Sequence, residues 1–363
     1  MIRFLFVLLS VIQVGYTSPF KISVTDYGTA NSTIRAQIDE AFAEVERQVN
    51  TELPDADATS YTKGMSNASV MAGKGLGIDH ASNIDLFVVG AGLGVGVDAG
   101  STSLGQITGG DVDADQFRGV GATAGLMGGF NMGILPLPML GPINLELMNM
   151  YFHFMSLDLG ELFGGSNSDD FSYALEAKSA GFHFQYHLME GRTFLPAGLA
   201  RWGGLYLSTG YELTSLKGTL TTKKFNETKT VEVDGVSGTS SYSGRGVVGL
   251  DITTHSIPIE IATNFQVGYF LTLFGGLGGD FSFGTASVTT QLVDSAVSLD
   301  VAGQTAGATA SLDLGKEGSP DTFMMRMFGG IQFNILLAKI YVQFNKKMGE
   351  GLYGLNAGLR VAY

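Results

Sequence analysis

The last eleven residues, Tyr353 to Tyr363, restrict this chain more than any other stretch. Alternate side chains of a β-strand point to the same side. Tyr353, Leu355, Ala357, Leu359, Val361 and Tyr363 therefore share one face, and Gly354, Asn356, Gly358, Arg360 and Ala362 share the other. A buried strand of a soluble protein rarely ends a chain on an aromatic residue after so regular an alternation.

Earlier stretches repeat the pattern. Phe87, Val89, Ala91, Leu93, Val95 and Val97 alternate with Val88, Gly90, Gly92, Gly94, Gly96 and Asp98. Val120, Ala122, Ala124, Leu126, Phe130, Met132 and Ile134 oppose Gly121, Thr123, Gly125, Asn131 and Gly133. Phe182, Phe184, Tyr186 and Leu188 oppose His183, Gln185 and His187. The longest run sets Ile257, Ile259, Ile261, Thr263, Phe265, Val267, Tyr269, Leu271 and Leu273 against Glu260, Asn264, Gln266 and Thr272. Phe323, Met325, Met327, Ile331, Phe333 and Ile335 oppose Arg326, Gln332 and Asn334. Such runs exceed the 5–6 residues usual in soluble sheets and match the roughly 9–11 of tilted membrane-spanning strands. A soluble β-sandwich would place the apolar faces inward, but its outer faces would then be oddly poor in Lys and Glu.

In these repeated runs and in the terminal strand, the chain resembles a bacterial outer-membrane β-barrel. In that class a terminal strand such as Tyr353–Tyr363 is the signal that the barrel-assembly machinery reads. The resemblance implies outer-membrane lipid and that machinery as partners. The expected fold is all-β: a transmembrane antiparallel up-and-down barrel over residues 82–363. Counting runs and connections gives about 12 strands, within a range of 10–14, with the count least secure across residues 286–315. Long polar connections at 101–117, 158–171 and 221–241 alternate with tighter ones near 136–142, 190–200 and 254–257, as external loops and periplasmic turns do. This alternation puts both termini in the periplasm. Tyr151, Trp202, Tyr211, Tyr269 and Tyr363 are candidates for interfacial girdles.

Composition agrees. Charged residues make up 15% of the chain, against roughly 25% in soluble domains. A net charge of −13 argues against nucleic acid as partner. Cysteine is absent, so neither disulfides nor thiolate metal sites are expected. Arg3 followed by the apolar stretch Phe4–Val14 reads as a secretory signal over residues 1–18, too short to span a bilayer as a helix. Export by a cleaved signal peptide to the outer membrane of a diderm bacterium follows as the expected localisation.

Residues 19–81 differ from the rest. Ile34, Ile38, Phe42, Val45 and Val49 recur at helical spacing, and Pro54 closes the pattern. Residues 60–81, rich in Gly, Ser and Ala, read as an irregular connector. Gly90, Gly92, Gly94 and Gly96 strip one side of the wall of side-chain bulk, so a segment can lie against it. The candidate is the helix of residues 32–53 folded into the lumen as a plug, or else a periplasmic helix docked elsewhere or on a partner. Gly64-Met65-Ser66-Asn67-Ala68-Ser69, placed between that helix and the barrel, is similar in layout to fatty-acid-type outer-membrane transporters. That likeness implies a plug formed by the prefix and lateral passage of hydrophobic substrates. The family's Asn-Pro-Ala segment is absent, and Ser82-Asn83-Ile84 stands nearest its place.

Candidate lumen residues are Asp98, Asn131, His183, Gln185, His187, Glu260, Asn264, Gln266, Arg326 and Arg360. Glu146, Glu176, Glu212 and Lys339 also fall on inward positions. His183 and His187 stand roughly 13 Å apart on a strand and cannot share one ion without a bend. The glycine run lacks the strand–turn–helix context of a dinucleotide loop. No cofactor and no catalytic or metal site are expected, and no local motif selects an enzyme. Two functions fit: a channel or transporter for small or hydrophobic solutes gated by the prefix, or a surface adhesin or structural barrel whose external loops bind ligands. A detergent-dependent chain with heat-modifiable migration on denaturing gels is the expected behaviour; a mature chain monodisperse in plain buffer would invert the faces and remove the barrel.

Overall fold

The computed structural model describes residues 21–28, 32, 35–36, 38–40, 42–43, 46, 58–82, 84–102, 105–106, 117–136, 139–158, 171–195, 199–233, 236–301 and 304–363. The expected signal segment, Ile34, Val45, Val49, Asn83 and most of two expected external loops lie outside these residues.

In chain order the strands are β1 (Lys21–Asp26), β2 (Phe87–Asp98), β3 (Gly119–Asn131), β4 (Met139–Leu140), β5 (Ile143–Asn144), β6 (Met148–Asp158), β7 (Phe171–Thr193), β8 (Ala200–Thr222), β9 (Phe225–Val233), β10 (Val236–Val267), β11 (Leu271–Val301), β12 (Gln304–Ser311), β13 (Asp313–Gly318), β14 (Phe323–Ile335), β15 (Ala338–Lys347) and β16 (Leu352–Ala362). A helix, α1 (Ala58–Gly73), precedes β2. The ring β2-β3-β6-β7-β8-β10-β11-β14-β15-β16 closes on itself when β16 pairs antiparallel with β2, from Leu352↔Asp98 to Ala362↔Val88. Closure leaves no strand of the ring without a neighbour on each side, which is the condition for strands to cross a bilayer.

The fold is thus the expected all-β barrel, with ten strands in the ring, inside the expected range of 10–14 and two below its central count. The difference lies in residues 286–315. β11 continues past the ring as far as Val301, and β12 and β13 pair with that continuation instead of entering the wall. β10, 32 residues long, rises beside it, with β9 on its other edge.

Alternation sorts the wall as the sequence implies. On β10, Ile257, Ile259, Ile261 and Phe265 face outward at 36–49% exposure, whereas Glu260 and Asn264 are 2% and 4% exposed. Aromatic pairs mark both rims of the apolar belt. One rim holds His255 stacked on Phe283, with ring centroids 4.9 Å apart, and Phe281 against Phe323 at 5.0 Å. The other holds Phe87 with Tyr363 at 6.3 Å and Phe194 with Phe265 at 6.2 Å. His255 to Phe265 covers about 34 Å along the strand, or about 25 Å of membrane once tilted, the height of a barrel's lipid belt. Trp202, Tyr211 and Tyr363 lie on the outer face and Tyr269 in a periplasmic turn at the barrel mouth, but Tyr151 is fully buried in the lumen. Its even register with inward Asn149 and His153 requires this.

The wall has one incomplete seam. β3 pairs with β6 only from Leu126↔Phe154 to Asn131↔Asn149. Above that level Ser179 Oγ donates across to the Ala124 carbonyl at 2.5 Å.

The amino-terminal part departs from expectation. Short connections and Tyr363 define the periplasmic end, yet β1 pairs with β12 at the opposite end. Ile38 and Phe42 bury their side chains there, against Val297, Ala306, Ala308 and Ala310. These two residues of the expected apolar helix face therefore cover the external sheet and do not line the lumen. From Thr62 the chain runs down through the barrel to begin β2 beside Tyr363. β1 thus lies at the external end, and β16 finishes at the periplasmic one. The cysteine-free chain allows a direct test. Ser23→Cys should react in intact cells with a membrane-impermeant maleimide, whereas Leu337→Cys, in a periplasmic turn, should react only after permeabilisation; the reverse pattern would refute this topology.

Candidate functional site

The lumen is the site, and α1 with its descending tail fills it. Residues 60–81 form a helix and a buried tail, in place of the expected irregular connector. The small side chains that suggest irregularity are what a thin helix in a narrow bore requires. Ser66, Ala68, Ser69, Met71 and Ala72 are all fully buried.

Glycine positions set where the helix lies. A Cβ at Gly94 or Gly96 on β2 would collide with the carbonyls of Ala72 and Ala68, and one at Gly121 on β3 would strike Ser69. The glycine stripe does admit a segment, but the segment is Ala58–Gly73 and not the helix of residues 32–53. At the outer mouth the helix is fastened by Asp321. Its backbone N–H donates to Asn67 Oδ1 at 2.8 Å, and its carboxylate receives Asn67 Nδ2 at 3.0 Å. Lys63 and Lys347 approach the same carboxylate at 2.7 Å each.

Below α1 the chain is irregular, and irregular backbone at membrane depth must be hydrogen-bonded by the protein around it. Inward polar side chains do this. Asn356 Nδ2 donates to the Ala72 carbonyl at 2.6 Å, and Asn264 Nδ2 to that of His80 at 3.0 Å. Gln185 Nε2 and the Tyr151 hydroxyl donate to the Asp79 carbonyl at 3.2 and 3.3 Å. Arg360 donates to the carbonyls of Gly75 and Ile78 and to the Asp79 carboxylate, while its guanidinium lies 3.6 Å from the Tyr341 ring centre. That carboxylate also accepts the N–H groups of Ala81 and Ser82, both at 2.9 Å, which shapes the turn.

Opposite the glycine-lined sector is a charged one. Lys74, just past α1, lies 2.5 Å from Glu212 Oε2 and 2.9 Å from Asp280 Oδ1, and donates to Ser256 Oγ. Arg326 donates from Nε to Asp280 Oδ2 at 2.7 Å, from Nη1 to Asn345 Oδ1 at 3.0 Å, and to Glu260. His80 Nε2 stands 3.2 Å from Glu260 and His183 Nε2 3.4 Å from Glu212. Lys74 and Arg326 are completely buried, so each charge depends on these neighbours.

The candidate lumen residues therefore divide. Gln185, Asn264 and Arg360 hold the plug backbone. Glu260, Arg326 and His183 belong to the ion set. Asp98 is buried at the outer mouth, where its Oδ1 accepts Gly100 N–H at 3.0 Å. Asn131 braces a periplasmic turn through Gly133 N–H and the Glu146 carbonyl. His187 is half-buried against the Tyr206 ring, centroids 4.6 Å apart, away from His183. Gln266 lines a periplasmic cleft. Glu146 and Glu176, read as inward, lie at the rims instead: Glu146 is exposed in a short 3-10 turn and Glu176 pairs with Lys178 at 2.6 Å. No cluster of His, Cys, Asp or Glu able to hold a metal ion occurs among the described residues.

In the terminal strand, Leu355, Ala357, Leu359, Val361 and Tyr363 face outward. Tyr353 shares that face by register with Lys346 but is covered there: it is buried, its hydroxyl donates to the Thr102 carbonyl at 3.1 Å, and Lys346 lies over its ring. The sequence reading missed Lys74, Asp79, His80 and Asp280. The signal was available for Lys74 and Asp79, lone charges in a Gly/Ala stretch, and for Asp280, inward between Phe281 and Gly279.

Lys74→Met should leave Glu212 and Asp280 undercompensated and cost about 3–5 kcal/mol. The folded band on unheated gels should convert at a clearly lower temperature. Lys217→Met, which removes an exposed pair with Asp251, should convert as the parent does.

A comparison with curated proteins finds no sequence match. Among solved structures, the transport unit of the autotransporter AIDA-I from Escherichia coli is similar at 7% identity and a TM-score of 0.31, over 81% of this chain and 95% of that one. Ail of Yersinia pestis, in complex with the heparin analogue sucrose octasulfate, gives 8% and 0.22 over 77% and 98%. The CymD monoaromatic hydrocarbon channel gives 10% and 0.22 over 83% and 98%. Scores this low say nothing of what the barrel does, and its fold stands on its own ring of hydrogen bonds. A family model does match nearly the whole sequence: over residues 19–363 the chain belongs to the Lsa36-like family.

Proposed function

We propose that this chain is an outer-membrane barrel whose closed lumen makes it an anchor, and that the sheet built from β9–β13 and β1 is presented to ligands outside the cell. The observation supporting this reading is the filled interior. From Thr62 at 0% exposure to Ser82 at 4%, the chain occupies the bore of its own barrel. Its polar wall residues are engaged with that segment and with one another, not with a water column. β10 and β11 meanwhile carry on the order of 50 Å of strand beyond the outer aromatic rim. A ribbon of that length serves no purpose in lipid but suits surface contact.

The outward apolar row Leu355–Tyr363 suits recognition by the barrel-assembly machinery, and residues 1–18 suit a cleaved export signal. Enzymatic activity is not part of this reading.

A gated transporter for small or hydrophobic solutes is the second reading. The incomplete β3–β6 seam favours it, because a wall lacking ladder bonds there opens at lower cost than elsewhere. Planar-bilayer recordings of the full chain decide between the two. The anchor reading expects no stepwise conductance from the parent or from Lys74→Met with Glu212→Gln. Conductance in the parent overturns it, and conductance only after the ion pair is removed assigns the gated transporter.

A further inference from the structure

The periplasmic mouth, below the plug, holds a polar cleft of about 160 Å3. Among the described residues its charged lining is Arg201 and Lys339, with no carboxylate. In a chain of net charge −13 this is an unusual pairing of cations. Among the described residues neither makes a salt bridge. Two acids act on Lys339 without pairing with it: Asp79, which Arg360 holds at 2.9 Å, and Asp85, just before β2.

The rest of the lining is amide and hydroxyl. Gln332 is fully buried, and its Nε2 donates to Ser82 Oγ at 3.1 Å and to Asn334 Oδ1 at 2.9 Å. Its Oε1 has no partner. A buried acceptor without a donor is costly and calls for one from outside the protein. Two cations plus that acceptor define a ligand that is anionic on one side and donates a hydrogen bond on the other.

We propose that this cleft binds a hydroxyl-bearing phosphate, a glycerophosphate-type group, with the phosphate between Arg201 and Lys339 and a hydroxyl donated to Gln332 Oε1. Tyr269, 60% exposed, and Leu336, 95% exposed, stand at the rim where the lipid headgroups lie. The group can thus belong to a free solute or to the head of a phospholipid. Either would rest against Ser82, the last residues of the plug, and would hold the plug from below. The site is independent of the anchor reading, since it requires only the barrel mouth.

The test uses the full chain, delipidated in zwitterionic detergent. Glycerol 3-phosphate is added in equilibrium dialysis; in parallel, phosphatidylglycerol or phosphatidylcholine is offered and the retained lipid measured by mass spectrometry. Saturable glycerol 3-phosphate binding, weakened at least tenfold in Arg201→Gln with Lys339→Gln, supports the site with a free solute. Retention of phosphatidylglycerol over phosphatidylcholine, lost in the same variant, supports it with a lipid head. If the double variant fails to fold, loss of binding by the parent at raised salt replaces it, because a bidentate electrostatic site is screened. Neither probe bound by the parent, or binding unchanged by the variant or by salt, overturns the proposal.

Discussion

The interior of a ten-stranded barrel must be filled, and everything else in this molecule adjusts to the way it is filled. Ten strands enclose a bore somewhat wider than the eight-stranded barrels that side chains alone can pack. Here the additional space takes one slender helix and its tail. The wall accommodates them asymmetrically. β2 and β3 withdraw their side chains to glycine so that backbone meets backbone, while β8, β10, β11 and β14 carry the acids and the arginine that neutralise one another and Lys74.

Ionised groups buried so deeply gain little net stability compared with apolar replacements of the same shape. What they supply is discrimination. Lys74 has two acids to reach, and a plug displaced by one helical turn would strand it and both of them. The same holds for Arg360, whose guanidinium reaches three points of the tail at once. Register of the plug is therefore fixed by charge placement, whereas its depth against the wall is fixed by the absence of side chains.

The wall was legible in the sequence because it obeys one rule, period two, over long stretches. Glu260, Asn264, Arg326 and Arg360 fall inward by simple parity. The plug was not legible, for a physical reason. Helical spacing of apolar residues finds helices with one dry face, such as the segment around Ile38 and Phe42, and that segment docks outside the membrane. A helix enclosed on every side by the barrel wall has no wet face and so no periodicity. Its small, mixed residues look like a linker. Tyr151 failed for a related reason: aromatic character suggested an interface, while parity with Asn149 and His153 already placed it indoors. The strand count exceeded ten because β12 and β13 have strand-like sequences but pair above the lipid, a distinction composition alone does not make.

Arg360 belongs to β16, and β16 is the partner that β2 needs to shut the ring. The same side chain grips the tail of the plug. A completed cylinder leaves no route by which a strand and helix already seated outside could be drawn back through, so the inner thread must be in place when the final seam zips. Sealing the circumference and locking the stopper are thereby one event, assigned to the residue three places from the carboxy-terminus.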